Sequence, residues 1–336
     1  LSCILKACDN IEQCVKIHDQ VLVSALGSDI VVGTALIDTY AKCGGLDHAH
    51  KVFDRLVEPD LASWNAIISG YAQHGHGLPA LKMFEKMLDK VKPDKMTFSS
   101  ALKAIGSIGA IKNGRLIYHQ AIVNCLEGDL ILSNALIDMY AKCGSLTEAH
   151  KVLNISSVRD IVSWNILIST YAQHGNSKSV QHCLWEMKKD GLKPDERTFL
   201  GVLASCSHAG HVDEGRDFFV SMVEEFGLIY GEEHLNCMID LLGRAGHLKE
   251  AEVFRASMPT SATNSHGWTS LLSACDNYSN MEGGKQSFEN ASLINPSCGS
   301  GYVLLSNLCS GAEYMSQNAI KIQELRNSVS AQKNGV

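Results

Sequence analysis

The stretch SWNAIISGYAQHG at residues 63–75 returns as SWNILISTYAQHG at residues 163–175. A return this close marks a repeat array, and working outward from it sets the period. Residues 30–60 and 130–160 align without a gap and agree at 15 of 31 positions, with ALID-Y-AKCG running from Ala35 to Gly44 and again from Ala135 to Gly144. A KPD follows each SWN segment, at Lys92 to Asp94 and at Lys193 to Asp195. A third kind of segment, TFSSALKAIGSIGAIKNGRLI from Thr97, matches TFLGVLASCSHAGHVDEGRDF from Thr198. One superperiod of 100 residues therefore holds three related units, 30–60, 61–94 and 95–129, of 31, 34 and 35 residues. The series continues through 130–160, 161–195, 196–231 and 232–262, with 1–29 as an incomplete unit before it. Residues 263–336 form a helical extension that diverges after about residue 314.

Each unit reads as two helices. Ile37, Tyr40 and Ala41 share one helical face, and Leu46, Ala49, Val52, Phe53 and Leu56 make a second apolar stripe. Gly44 between them suits the left-handed turn that ends a helix, and Ser145 with Glu148 has capping-box spacing for the next. Pro59, Pro93 and Pro194 lie near the Asp-terminated linkers that end the second helix. A lone hairpin cannot bury its apolar face, so the fold class predicted is all-α, a right-handed α-solenoid of stacked helix-turn-helix repeats with a concave inner surface.

Composition narrows the chemistry. The net charge of −7 argues against gripping polyphosphate by bulk electrostatics, so any nucleic-acid role must rest on a local groove. The 12 cysteines contain no C-x-x-C pair; recurrent ones such as Cys43 and Cys143 read as small buried hydrophobes with reduced thiols, which predicts no metal site and no disulfide framework. None of the 14 histidines begins an H-x-E, so the visible chain lacks the ligand and general-acid set of a zinc deaminase. His74 and His174 read as solvent-facing turn residues, and Trp64 and Trp164, at core spacing from the Ile and Leu three and four residues on, as buried. No cofactor and no enzyme activity are predicted. A stretch of roughly 18 apolar residues, as a membrane span needs, does not occur, and any targeting segment is expected outside this chain.

With YAKCG, SWNAIISGYAQHG and LLGRAG in view, the chain resembles the plant pentatricopeptide repeat proteins of the PLS subclass, which alternate units of about 35, 35 and 31 residues. HLNCMIDLLGRAGHLKEAE from His234 resembles the last short unit of that family, and GWTSLLSAC from Gly267 and GYVLLSNL from Gly301 resemble its two E motifs. The resemblance implies single-stranded RNA binding, one base per repeat, read by a side chain early in the first helix together with the unit's last residue. The pairs are then Thr34 with Asp60, implying guanine, and Asn65 with Asp94, Asn134 with Asp160 and Asn165 with Asp195, implying uracil with tolerance of cytosine. Ser99 with Asp129 is expected to read weakly, Leu200 offers no polar edge, and Asn236 implies a pyrimidine with Thr263 or Asn264 as its partner. Val31, Ala62, Ile131 and Val162, three residues ahead of the readers, are expected to pack on base faces.

The same resemblance implies a site-recognition factor for C-to-U editing of organellar transcripts in a mitochondrion or chloroplast, with a DYW-type deaminase and editing-factor proteins recruited through the E motifs. Two other readings stay open: a protein-binding helical-repeat scaffold, and an RNA processing or stabilisation factor without an editing role. A degraded relative is a further possibility raised by the shortened units. Asn, Ser, Thr and Asp near helix starts are also the residue types that cap helices, so each pair has a purely structural alternative.

Overall fold

The computed structural model describes residues 10–23, 29–124, 126, 128–156, 158–257, 265–297 and 299–310, and among these the chain forms 18 helices and no strand. The chain divides into two compact units, residues 1–170 and 171–336. In the first lie α1 (Ile11–Val23), α2 (Ile30–Lys42), α3 (Leu46–Arg55), α4 (Leu61–Gln73), α5 (Gly77–Leu88), α6 (Lys95–Ile108), α7 (Ile111–Val123), α8 (Leu130–Lys142) and α9 (Leu146–Ile155), with α10 (Ile161–Gln173) running across the boundary. The second holds α11 (Ser177–Lys189), α12 (Glu196–Ala209), α13 (Val212–Glu224), α14 (Glu232–Arg244), α15 (Leu248–Ala256), α16 (His266–Asn277), α17 (Met281–Ile294) and α18 (Gly299–Ser310).

Both units are built alike. In the first, α2, α4, α6 and α8 pack side by side in one layer, and α3, α5, α7 and α9 each pack on the helix before them to make the other layer. In the second, α12, α14, α16 and α18 form one row and α13, α15 and α17 pack on it. Stacked helical hairpins are therefore the architecture, as the repeat period requires. Every residue of the two predicted apolar stripes, Ile37, Tyr40, Ala41, Leu46, Ala49, Val52, Phe53 and Leu56, is buried. Burying a large apolar side chain contributes roughly 1.5–3 kcal/mol, so each interface between hairpins is a main source of stability. No described helix is long and apolar enough to cross a membrane.

Turns between the two helices of a hairpin are nearly identical. Gly44 and Gly144 adopt left-handed φ of +77° and +75°, and the next residue's N–H closes on the carbonyl five back, Gly45 to Tyr40 at 2.8 Å and Ser145 to Tyr140 at 2.9 Å. That closure uses a Schellman-type bond, and it overturns the capping box expected at Ser145. Ser145 stands at the N-cap with φ −96° and ψ 67°, outside the extended region, and its hydroxyl makes no capping bond; Glu148 instead pairs with Lys151 at 3.0 Å.

His74 and His174 are exposed, as expected of turn residues, but His74 and another histidine, His208, also reach the neighbouring first helix. His74 Nε2 donates to the carbonyl of Ala41 at 2.6 Å, and His208 Nδ1 donates to that of Ala172 at 2.9 Å. Tyr278 makes the same kind of bond to Arg244, at 2.8 Å. Ala41 and Ala172 already accept the turn N–H groups of Gly44 and Gly175, at 3.1 and 3.0 Å, so the histidine latches add a second bond to carbonyls near the end of the neighbouring first helix. The cysteines divide. Cys14, Cys183, Cys206, Cys275 and Cys309 are buried, whereas Cys43 and Cys143 are half-buried at helix C-caps, against the expectation for that pair. Burial pushes the Cys183 and Cys237 thiols up to about 12, which keeps them protonated.

Candidate nucleic-acid interface

The N-terminal ends of the first helices bring the predicted readers together. Each unit's final Asp is the N-cap of the next unit's first helix. Asp60 accepts from the Ser63 N–H at 2.9 Å, Asp94 from Thr97 at 2.9 Å, Asp160 from Ser163 at 2.8 Å and Asp195 from Thr198 at 2.8 Å. Asp129 likewise takes the N–H groups of Ile131 and Leu132. The capping reading is thus correct for the aspartates. It does not account for their partners, which lie one turn into the preceding first helix.

Asn65 Nδ2 donates to Asp94 Oδ1 at 3.1 Å, and Asn134 Nδ2 donates to Asp160 Oδ1 at 3.2 Å. A third group completes each set. The Thr97 hydroxyl lies 2.6 Å from Asn65 Oδ1 and 2.9 Å from Asp94 Oδ1; the Ser163 hydroxyl lies 2.5 Å from Asn134 Oδ1 and 2.7 Å from Asp160 Oδ1. At Thr34 the shorter side chain stops at the relay: its hydroxyl meets that of Ser63 at 2.7 Å, and Ser63 in turn donates to Asp60 at 2.7 Å. These sets link adjacent first helices at the same register.

The other predicted positions differ. Ser99 and Asp129 are not joined, because Asp129 turns its second oxygen to Lys95 Nζ at 3.3 Å. Asn165 is 9% exposed in the first compact unit, and Asp195 forms a capping box with Thr198 in the second. Asn236 has a buried Oδ1 without a hydrogen bond, while its expected partners Thr263 and Asn264 lie outside the described residues. Val31, Ile131 and Val162 are 66%, 42% and 49% exposed although apolar, and Ala62 is exposed beside Asn65. Met96, at the same register in the long unit, is 49% exposed and was not singled out by sequence. Trp64 and Trp164 are buried, as expected of core residues.

Electrostatics follow from the bonding. Burial alone would raise the Asp94 carboxyl, but the N–H and hydroxyl of Thr97 and the amide of Asn65 outweigh it and hold the group below the usual carboxylate range. Asp160 is held low in the same way by Ser163 and Asn134. The stabilisation from a depressed carboxyl is present above its unfolded value and fades as pH falls through the folded one. Carboxyl-detected NMR titration is expected to place both groups below free aspartate. Titration at or above the ordinary value would mean that the bonds do not hold in solution.

Sequence missed the hydroxyls Ser63, Thr97, Ser163 and Thr198, although a signal exists: Asp-x-x-Ser/Thr followed by an aromatic, at 60–64, 94–98, 160–164 and 195–199. Asp-x-x-Thr is a capping pattern, and it falls where one unit hands over to the next. Among the described residues no group of three or more His, Cys, Asp or Glu could hold a metal ion.

Stacked helical hairpins with a recurring amide, carboxylate and hydroxyl at one end of each first helix define a helical-repeat protein with one polar set per unit. Sequence profiles described as the PPR repeat family match residues 59–106 and 159–208, and profiles described as the PPR repeat match 34–59, 131–155, 197–225 and 233–261. Together they cover more than half of the chain, which belongs to the pentatricopeptide repeat family. A pentatricopeptide repeat-containing protein of Arabidopsis thaliana is 37% identical over 309 residues, covering 91% of this chain and 42% of the relative. A chloroplastic member from the same plant is 35% identical, covering 88% of this chain and 35% of its own length; a mitochondrial member is 36% identical, covering 88% and 48%. The chain thus spans less than half the length of these relatives. Among solved structures, the pentatricopeptide repeat protein PPR10 in complex with an 18-nt psaJ RNA element superposes with a TM-score of 0.70 at 17% identity, covering 95% of this chain and 48% of that one. This likeness establishes the fold.

Proposed function

We propose that the chain is a single-stranded RNA-reading segment, one base per repeat, of an organellar pentatricopeptide repeat protein of the PLS subclass. The observation that carries this reading is the recurrence of a bonded Asn–Asp pair, Asn65 with Asp94 and Asn134 with Asp160, beside the exposed apolar residues Ala62 and Ile131. Capping needs the aspartate alone; the amide adds a donor and an acceptor suited to a base edge. The solved relative PPR10 was crystallised with RNA, and curated relatives are named chloroplastic or mitochondrial, which supports the class of ligand and the compartment.

With the N-terminus toward the RNA 5′ end, the units from 30–60 to 232–262 read G, pyrimidine, weak, U, U, weak, pyrimidine. Fluorescence anisotropy with 5′-GUAUUAU-3′ and single-base variants tests this directly. Preference at the first, second, fourth and fifth bases is expected, and equal binding to a heptamer of A ends the proposal. The E-motif-like segments from Gly267 and Gly301 form α16, α17 and α18, and in this reading they recruit a DYW-type deaminase in trans for C-to-U editing. Sequencing organellar transcripts from a plant lacking the protein separates the roles. A lost C-to-U event supports editing, whereas unchanged editing with an altered transcript end supports processing.

A further inference from the structure

We infer that the hydroxyl three residues into a unit's first helix, Thr97 or Ser163, positions the reading amide of the unit before it, Asn65 or Asn134, and so takes part in base discrimination. The inference rests on the RNA reading proposed above. It begins with proton counting. Thr97 Oγ1 accepts from the Asp94 N–H at 3.2 Å and has one proton to give. Two oxygens, Asn65 Oδ1 at 2.6 Å and Asp94 Oδ1 at 2.9 Å, compete for that proton. The closer contact settles the matter, because two oxygens at 2.6 Å with no proton between them would repel. Asp94 Oδ1 meanwhile receives the Thr97 N–H and the Asn65 amide.

The amide is therefore held at both ends. Its oxygen accepts from the hydroxyl and one N–H binds the carboxylate, which leaves one N–H and one lone pair for a base. Rotating the amide by half a turn would set its oxygen against the carboxylate and lose that bond, while the hydroxyl would change from donor to acceptor toward the amide. The carboxylate thus decides which way round the amide lies, and the hydroxyl anchors its other end. Ser163 repeats the arrangement on Asn134 with even shorter contacts, so the device belongs to the repeat.

The long unit supplies the contrast. After Asp129 the third residue is Leu132, buried and without a donor, and the carboxylate pairs with Lys95 instead of Ser99. A reader there has neither the relay nor the carboxylate. Asp29 is followed in the same way by Val32, whose N–H it takes at 2.9 Å. The weak reading expected of unit 95–129 would then follow from Leu132, the third residue of the next unit.

Thr97→Val keeps shape and removes the hydroxyl, and Thr97→Ser keeps the hydroxyl. In the whole chain, binding is measured to 5′-GUAUUAU-3′ and to probes altered at the second base, facing unit 61–94, or the fourth, facing unit 130–160. Thr97→Val is expected to narrow the preference for uracil over purines at the second base roughly 5-fold, the effect of losing about one net hydrogen bond, and to leave the fourth-base preference intact. Thr97→Ser restores it. Ser163→Ala does the reverse, acting on the fourth base only, and serves if Thr97→Val fails to fold. Equal weakening on every probe, or an unchanged second-base preference in a folded variant, overturns the inference. Asn65→Ala separates the two levels: if it erases second-base preference while Thr97→Val does not, only the inference falls; if it too changes nothing, the RNA reading falls with it.

Discussion

Trp64→Ala is expected to cost about 3–5 kcal/mol, the range for removing a large aromatic from a packed core. The indole is 2% exposed on α4 and meets Phe53 of α3 edge to face, with ring centroids 4.6 Å apart, so it fastens one hairpin to the next. Its Nε1–H is buried without an acceptor, which makes the contact one of area and shape rather than hydrogen bonding. Trp64→Phe should therefore be much milder, since it keeps the edge contact and removes an unsatisfied donor. In a stacked array stability is a sum of hairpin and neighbour terms, so the damage is local. Hydrogen exchange should show protection falling in α2 to α5 while α14 to α16 keep theirs. A loss below about 1 kcal/mol by urea unfolding, or a uniform fall in protection along the chain, would contradict this account.

The architecture could be read from the sequence because a repeat states its own boundaries. Identical YAKCG turns need the same left-handed glycine, and apolar stripes on both sides of Gly44 and Gly144 can be buried only by a neighbouring hairpin. Contacts between units were harder to foresee. Nothing local in AQHG says that His74 reaches a carbonyl 33 residues earlier, since that acceptor exists only once the first helices lie side by side. The proposed reading pairs came from recurrence and family resemblance. The relay hydroxyls were missed because each sits directly before a core aromatic, Trp64, Phe98 or Trp164, and reads as the start of the buried face. Thr97 belongs to both, being fully buried and yet bonded to the reader of the unit before it.

Asn65→Thr should convert the second reader from uracil to guanine, with a change in relative affinity on the order of 10- to 100-fold, the range for a good base-edge contact. The array contains its own template for the outcome, because Thr34, Ser63 and Asp60 already form the set that such a change would build from position 65, Thr97 and Asp94. A threonine hydroxyl is shorter than the amide and would bond to the Thr97 hydroxyl, as Thr34 does to Ser63. Removing the amide has two consequences. Space opens for a purine ring, and the Asp94 carboxylate loses the N–H it received from Asn65. Its oxygens then become available to the N1–H and N2–H donors of guanine, which uracil cannot match with two donors on one edge. The substitution leaves Thr97 N–H and the helix cap in place, so stability should change little. Anisotropy with 5′-GGAUUAU-3′ against 5′-GUAUUAU-3′ measures the switch, and a simultaneous unchanged preference at the fourth base confines it to unit 61–94. If the folded variant still prefers uracil, the pair at 65 and 94 does not read the base, and the aspartate there acts only as a helix cap.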